Sequence, residues 1–484
     1  MHVLLAASEL HPYSKTGGLA DAVGSLGRAL ARAGVRVTVV TPLYRGLAER
    51  VGPGVGSPWR FDIGIGKELV PGEFVRVTEP SGMEVWFVRN DAYFDRPGLY
   101  NEGQNDYADN AARFLFLTRA ALLAARHAGV PVDVVHAHDW QVGLLPLMVH
   151  HARITGAWPR APRTLFTIHN LAYQGGFAAD AWTLTGLPWS WFHLESAAHG
   201  GGVNFLKAGL SLADALSTVS PRYAREICTP EFGCGLDGVL RRREHDLCGI
   251  LNGVDYEEWN TTRNPALPDA YDADDLSGKA MCKAALQREM GLAVDPGMPL
   301  FGNISRLTDQ KGCDLLAAAL ERLLPREEFQ FVLLGSGDPT LEAAFRSMAA
   351  RFPGRVAARI GFNPALAHRI EAASDFYVMP SRFEPCGLNQ LYSLRYGAIP
   401  VVRATGGLAD SVVDARDDAA AATGIHFHEA SAAALEWAMR KALALHAIPQ
   451  AVAHYRSNGM HRDFSWETQA REYVRLYGEI LHGP

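Results

Sequence analysis

The sequence predicts an α/β protein made of two facing, doubly wound, Rossmann-like halves with a deep cleft between them. Three observations carry this. Short β-branched runs alternate with helical patterns along both halves of the 484 residues, as expected for parallel sheets covered by helices. The alternation breaks once, in the Asn-, Asp- and Pro-rich stretch NTTRNPALPDAYDADDLSGK at 260–279. One hexapeptide, TGGLAD, occurs once in each half, at 16–21 and at 405–410.

In the first half, strands are expected at 2–8, 35–42, 83–89, 132–138, 163–169 and 215–220, with helices at 19–33 and 109–127 among those between them. A short strand near CGILNGVDYEEW (248–259) leads into the second half, so the first domain is placed at 1–250 and the second at 251–463. The second repeats the scheme, with strands at 299–305, 330–336, 355–361, 375–381, 398–404 and 423–428. The tail, 464–484, is an amphipathic helix with Trp466, Tyr473, Leu476 and Ile480 on one stripe; the sequence does not name its packing partner.

Composition narrows the function class. Hydrophobic residues make up 48% and charged residues 20%, enough to bury sizeable cores. A formal net charge of −6 argues against a nucleic-acid surface, and Arg241, Arg242 and Arg243 read as a solvated helix end. The first apolar run is too short for a secretory segment, and no apolar stretch approaches the ~20 residues that cross a bilayer. The six cysteines are scattered without CxxC or zinc spacing. The expectation is a cytoplasmic protein with no membrane association and free thiols.

Candidate chemistry lies at the strand ends. In KTGGLAD, Gly17 and Gly18 precede a helix, where backbone N–H groups can meet an anion; Lys15 stands before them as a point charge and Asp21 follows. SRLTDQKG places Arg306 and Lys311 after the first strand of the second half, where a ligand crevice is expected. Three cations from two domains suit a diphosphate whose charge must be stabilised as it leaves. PSRFEPCGLNQL sets Glu384 and Cys386 at a strand-to-helix turn, and Gly387, Leu388 and Asn389 open the next helix with unsatisfied N–H groups. VDVVHAHDWQ puts His136 and His138 on one face of a strand with Asp139 at its end. No third and fourth ligand follows, so no metal site is assigned there. TLFTIHNLAYQG ends another strand on His169 and Asn170, both able to bond sugar hydroxyls. DAYDADD reads as a solvated acidic loop.

With these residues in view, the chain resembles the bacterial glycogen synthases and plant starch synthases. The resemblance runs nearly its full length, through KTGGLAD, DRPGLY, DNAARF, HAHDWQ, TIHNLAYQG, NFLKAGL, LNGVD, SRLTDQKG and SRFEPCGLNQL in that order. It implies the two-domain fold called GT-B. It also implies transfer of glucose from ADP-glucose to the non-reducing end of an α-1,4-glucan, with retention and without cofactor or metal. By the same resemblance, Lys15 contacts the nucleotide-sugar, Arg306 and Lys311 neutralise the leaving diphosphate, and Glu384 binds sugar hydroxyls and balances transition-state charge. Asp139 and His169 face the glucosyl group, and Gly387, Leu388 and Asn389 bind the donor through backbone N–H groups. Phe362, in IGFNPALAHRI, stands where relatives often stack the adenine on a tyrosine.

Many proteins of this fold carry a second glutamate eight positions after the first; here that position is Tyr392, as in the bacterial glycogen synthases, so no carboxylate pair exists at the motif. The first TGGLAD is expected to bind donor and the second to be its structural counterpart at the same cleft. The alternatives are a UDP-glucose-dependent or other transferase of this fold, a glucan phosphorylase, and a non-catalytic glucan-binding scaffold. Oligomeric state is not legible.

Overall fold

The computed structural model describes residues 1–52, 54, 59–103 and 105–483. The chain forms two compact units: unit 1, Met1–Gly253 with Trp466–Pro484, and unit 2, Val254–Ser465. The division falls at Gly253/Val254, and the tail, whose packing partner the sequence left open, is part of unit 1.

Unit 1 is built on a nine-stranded sheet. Its strands are β1 (His2–Ala6), β2 (Arg36–Pro42), β3 (Trp59–Ile65), β4 (Glu68–Thr78), β5 (Glu84–Arg89), β6 (Val134–His138), β7 (Arg163–Ile168), β8 (Ala215–Thr218) and β9 (Leu247–Gly249). Their order is β9-β8-β7-β6-β1-β2-β5-β4-β3, and all pairs are parallel except those made by β3 and β4. Every residue of β1 is buried, which is why HVLLA runs apolar without alternation. The β3–β4 hairpin is absent from the sequence reading. Its strands are half-exposed, and its turn at Gly66 takes φ +60, a region open to glycine.

Helix α1 (Gly18–Arg32) follows β1. It buries Leu19, Val23, Leu26 and Leu30, spaced for one helical face.

Unit 2 holds a six-stranded sheet of β10 (Leu300–Leu307), β11 (Gln330–Gly337), β12 (Val356–Ile360), β13 (Phe376–Met379), β14 (Ile399–Arg403) and β15 (Ile425–Phe427). The order is β12-β11-β10-β13-β14-β15, all parallel. This is the strand order of a doubly wound dinucleotide-type fold, reversing between β10 and β13. Helices α2 (Cys313–Leu323), α3 (Asn389–Arg395) and α4 (Gly406–Ser411) follow β10, β13 and β14. Helix α4 is shorter than its apolar run suggests. Val412 is already extended, and the Val413 N–H donates to the Thr423 hydroxyl at 2.9 Å instead of continuing the helix.

The loop before Ser277 is pinned by Tyr271, which is buried and donates to the Tyr396 carbonyl at 2.9 Å. In DAYDADD, Asp272 accepts the N–H groups of Asp274 and Asp275, a local turn on the surface. Among the described residues no group of three or more His, Cys, Asp or Glu is arranged to hold a metal.

The chain then returns to unit 1 as helix α5 (Trp466–His482), packed on α1 with an Arg32–Glu467 ion pair at 3.2 Å. Its buried stripe is Trp466, Ala470, Tyr473 and Tyr477, while Leu476 and Ile480 are only partly buried. Each fully buried aromatic contributes about 2–3 kcal/mol. No helix among the described residues is long and apolar enough to cross a membrane.

Candidate active site

In unit 1 the strand order reverses between β1 and β6, so loops leaving their carboxyl ends part in opposite directions and open a crevice. The loop after β1 carries Glu9 and KTGG. The backbone N–H groups expected to meet an external anion are in part already engaged. Thr16 and Gly17 donate theirs to the Glu9 carboxylate at 2.5 and 3.3 Å, and the Thr16 and Tyr100 hydroxyls donate to it at 2.7 and 2.6 Å. The physical reason is chain geometry: a buried carboxylate on the same loop is a local acceptor that orders the turn before α1. Lys15 is likewise not free; its ammonium pairs with Asp21 at 2.8 Å on the surface. Gly17 is extended and an added Cβ would meet no atom within 4 Å, so the fold itself makes no demand for glycine there. Gly18 opens the helix.

Asp139, directly after β6, has φ +59, a strained conformation for a residue with a side chain, costing on the order of 1–3 kcal/mol. It is held by its own carboxylate, whose Oδ1 accepts the backbone N–H groups of His169 at 2.7 Å and Asn170 at 3.4 Å. Burial pushes the Asp139 carboxyl up to about 7, the two N–H groups pull the other way, and the charge of Glu9 adds to the rise. Asp139 is therefore a strained, buried carboxyl at the switch point of unit 1.

His169, part-buried at the end of β7, has its pKa lowered to about 3 by burial and stays neutral. Its Nε2 lies 3.0 Å from Nδ1 of His138, and its Nδ1 has no partner among the described residues. The Asn170 carbonyl oxygen of the side chain accepts the Ala172 N–H at 3.1 Å.

In unit 2 the switch point is β10/β13, and the same logic holds. Gly312, at φ +64, has no room for a side chain, since a Cβ would sit 2.1 Å from the Pro380 carbonyl. That close approach joins the loop after β10 to the loop after β13. Arg382 fastens them with two bonds of 2.7 Å to the Asp314 carboxylate. The result is a Lys311–Glu384 ion pair at 2.6 Å, with Glu384 also accepting the Ser381 hydroxyl at 3.0 Å. Arg306 is exposed and makes no ion pair among the described residues, an unneutralised cation at the crevice.

Gly387 adopts φ +72, and the N–H groups of Gly387, Leu388 and Asn389 find no acceptor among the described residues. The Asn389 side-chain NH2 is already engaged: it donates to the Ile304 carbonyl at 2.8 Å and to the Tyr377 hydroxyl. Cys386 is buried, its carbonyl bonded to the Gln390 amide at 2.9 Å.

Phe362, after β12, is 85% exposed beside a pocket of about 270 Å³ shared with Glu289, Arg359 and Asn363. Tyr392 is buried and stacked on Trp259, centroids 3.6 Å apart and planes 3° from parallel, so an aromatic pair fills the second-glutamate position. The second TGGLAD packs on the Glu384 loop. The Gly407 N–H donates to the Glu384 carbonyl at 3.1 Å, and a Cβ on Gly406 would lie 1.9 Å from that same oxygen.

Residues 2–242 match the starch synthase catalytic domain family, and residues 291–459 match glycosyl transferases group 1. A glycogen synthase from Anaeromyxobacter dehalogenans strain 2CP-1 is 50% identical over 484 residues, covering 100% of each chain. The chain belongs to the glycogen and starch synthase family. A second relative in this family, a glycogen synthase from Myxococcus xanthus strain DK1622, is 47% identical over 99% of this chain and 100% of its own. The catalytic domain of starch synthase IV from Arabidopsis thaliana, solved bound to ADP and acarbose, matches with a TM-score of 0.87 at 32% identity, covering 99% of each chain. As a member of the glycogen and starch synthase family, the chain is a glycosyltransferase of the GT-B fold, acting with a nucleotide-sugar donor and a glucan acceptor. The sequence reading did not single out Glu9, Gly312, Ser381 or Arg382. Glu9 had a usable signal, a carboxylate just past the first strand at a switch point; the others act through contacts that no spacing encodes.

Proposed function

We propose that the chain transfers glucose from ADP-glucose to the non-reducing end of an α-1,4-glucan with retention at the anomeric carbon, in the cytoplasm and without membrane or nucleic-acid partners. The observation that carries this reading is the pairing of an unneutralised Arg306 with the Lys311–Glu384 pair at the β10/β13 switch point. Arg306 and Lys311 take up the charge of the departing diphosphate. Charge-assisted contacts that strengthen as charge develops lower the barrier rather than merely tightening binding.

Glu384, relieved of part of its hold on Lys311 as that cation turns to phosphate, accepts hydrogen bonds from the sugar. The free N–H groups of Gly387, Leu388 and Asn389 bind donor oxygens, and Lys15, exchanging Asp21 for the nucleotide-sugar, adds a further cation. The adenine lies on Phe362, and the ADP bound to the Arabidopsis relative supports an adenine nucleotide in the donor. Asp139 and His169 hold glucose hydroxyls. Retention proceeds by front-face attack, in which the departing phosphate takes the proton of the incoming hydroxyl. The Tyr392–Trp259 stack supports this, since it leaves no second carboxylate at the motif to act as nucleophile.

The test is the initial rate of labelled glucose incorporation into glycogen, with ADP-glucose and UDP-glucose side by side. Incorporation from ADP-glucose with little from UDP-glucose is expected. Preference for UDP-glucose would overturn the donor assignment, and incorporation from neither would overturn the reaction.

A further inference from the structure

Behind His169 in unit 1 stand two further imidazoles, His136 and His138, with no part in the proposed transfer. His136 and His138 project from the same face of β6, both buried, with ring centroids 3.9 Å apart. His136 is saturated, with Nδ1 at 2.8 Å from the Tyr477 hydroxyl of α5 and Nε2 at 2.5 Å from the Thr167 hydroxyl, which continues to Ser217 at 2.5 Å. His138 rests on this shelf. Its Nδ1 faces His169 Nε2 at 3.0 Å, and its own Nε2 is buried with no hydrogen-bond partner among the described residues.

Both rings are held neutral by burial, so each carries one proton. A single proton must lie on the line between the two nitrogens, because two would collide and none would oppose two lone pairs. If His169 Nε2 supplied it, the proton of His138 would sit on the buried, partnerless Nε2. If His138 Nδ1 supplies it, that Nε2 is only an unfilled lone pair. An orphaned buried donor is the rarer and costlier of the two.

We infer that His138 is a positioning residue that donates from Nδ1 to His169 Nε2 and thereby fixes the His169 proton on Nδ1, making His169 a hydrogen-bond donor to an oxygen of the bound sugar and not a base. Asp139, two of whose bonds come from the 169–170 backbone, supplies the acceptor beside it. A donor and an acceptor together are what a hydroxyl, itself both, recognises best. The inference deepens the proposed role of His169 and rests on that reading for its catalytic consequence, though not for the tautomer itself.

Long-range proton–nitrogen correlation spectra of protein labelled with 15N-histidine read the tautomer directly, His138 and His169 being assigned by loss of signals in His138→Asn and His169→Phe. Both rings are expected as Nδ1–H in the wild-type enzyme. His138→Asn, whose amide nitrogen takes the place of Nδ1, should keep the His169 tautomer and recover most of the rate. His138→Phe should release the tautomer and lower kcat/KM about tenfold, the loss of one oriented hydrogen bond. His169 found as Nε2–H in the wild type would overturn the inference, as would equal loss of rate in the Asn and Phe variants. Full glucosyl transfer by His169→Phe would instead refute the role of His169 in the reaction, with the tautomer result standing on its own.

Discussion

The substitution Gly17→Ala separates the two TGGLAD loops by cause. Gly17 sits at φ −157, ψ −163, a conformation alanine adopts freely, and its Cβ would find no atom within 4 Å. Two small effects on stability oppose each other. Alanine lowers the entropy of the unfolded chain, worth roughly 0.4–1 kcal/mol, and is a poorer residue than glycine just ahead of a helix by a similar amount. The sum is near zero, so the melting temperature should move by less than about 2 °C. If Gly17 exists to let the donor approach the backbone, the methyl lies in the ligand's place, and kcat/KM for ADP-glucose should fall about 10- to 100-fold, or about 1.4–2.7 kcal/mol. The matched control is Gly406→Ala, where φ is +44 and the Cβ would lie 1.9 Å from the Glu384 carbonyl. That variant should lose more than about 2 kcal/mol by denaturant unfolding. Wild-type kcat/KM in Gly17→Ala would refute the ligand-approach argument, and a strongly destabilised Gly17→Ala would refute the claim that the fold makes no demand at that position.

Three further outcomes are expected. Arg306→Ala with Lys311→Met together should reduce kcat by at least about 1,000-fold, with cleavage of the glucosyl–phosphate bond, read in single turnover, as the slow step; intact turnover would sink the proposed stabilisation of the diphosphate. Asp139→Asn should abolish transfer yet stabilise the fold at pH 8. The folded carboxyl keeps its proton up to about 7 against an ordinary 3.8, so the native state binds more protons in that window, and wild-type stability falls as pH rises through it. The variant's advantage, on the order of 4 kcal/mol at pH 8, should vanish below 3.8, and pH-resolved melting curves check it. Tyr392→Glu, placing a carboxylate under Trp259, should cost at least about 3 kcal/mol in denaturant unfolding without any gain in rate.

The parallel strands were legible because fully buried strands run apolar, as HVLLA and QFVLLG do, and helices between them repeat at helical spacing; their order in the sheet was not. The β3–β4 hairpin was not, since half-exposed antiparallel strands look like ordinary polar chain. The placement of candidate residues at strand ends was legible where a motif ends a strand, as at Asp139, His169, Arg306 and Glu384. Their state was not. That Lys15 is paired with Asp21, that Glu9 already holds N–H groups of the KTGG loop, and that Asn389 turns away to Ile304 all depend on which neighbours the fold brings within 3 Å. The two TGGLAD copies make the point most clearly: one string, with a first glycine that is unobstructed in one copy and wedged against a carbonyl in the other.

The return of α5 to unit 1 sets an order of assembly. Unit 2 is one unbroken stretch of chain, whereas unit 1 is closed only by residues made after all of unit 2. When synthesis has passed Ser465, every residue of unit 2 has been made while unit 1 still lacks Tyr473 and Tyr477, and His136 has only its Thr167 bond. Domains generally mature from the amino terminus onward during synthesis; here the amino-terminal unit is closed after unit 2, and His136 gains its Tyr477 bond only once all of unit 2 has been made.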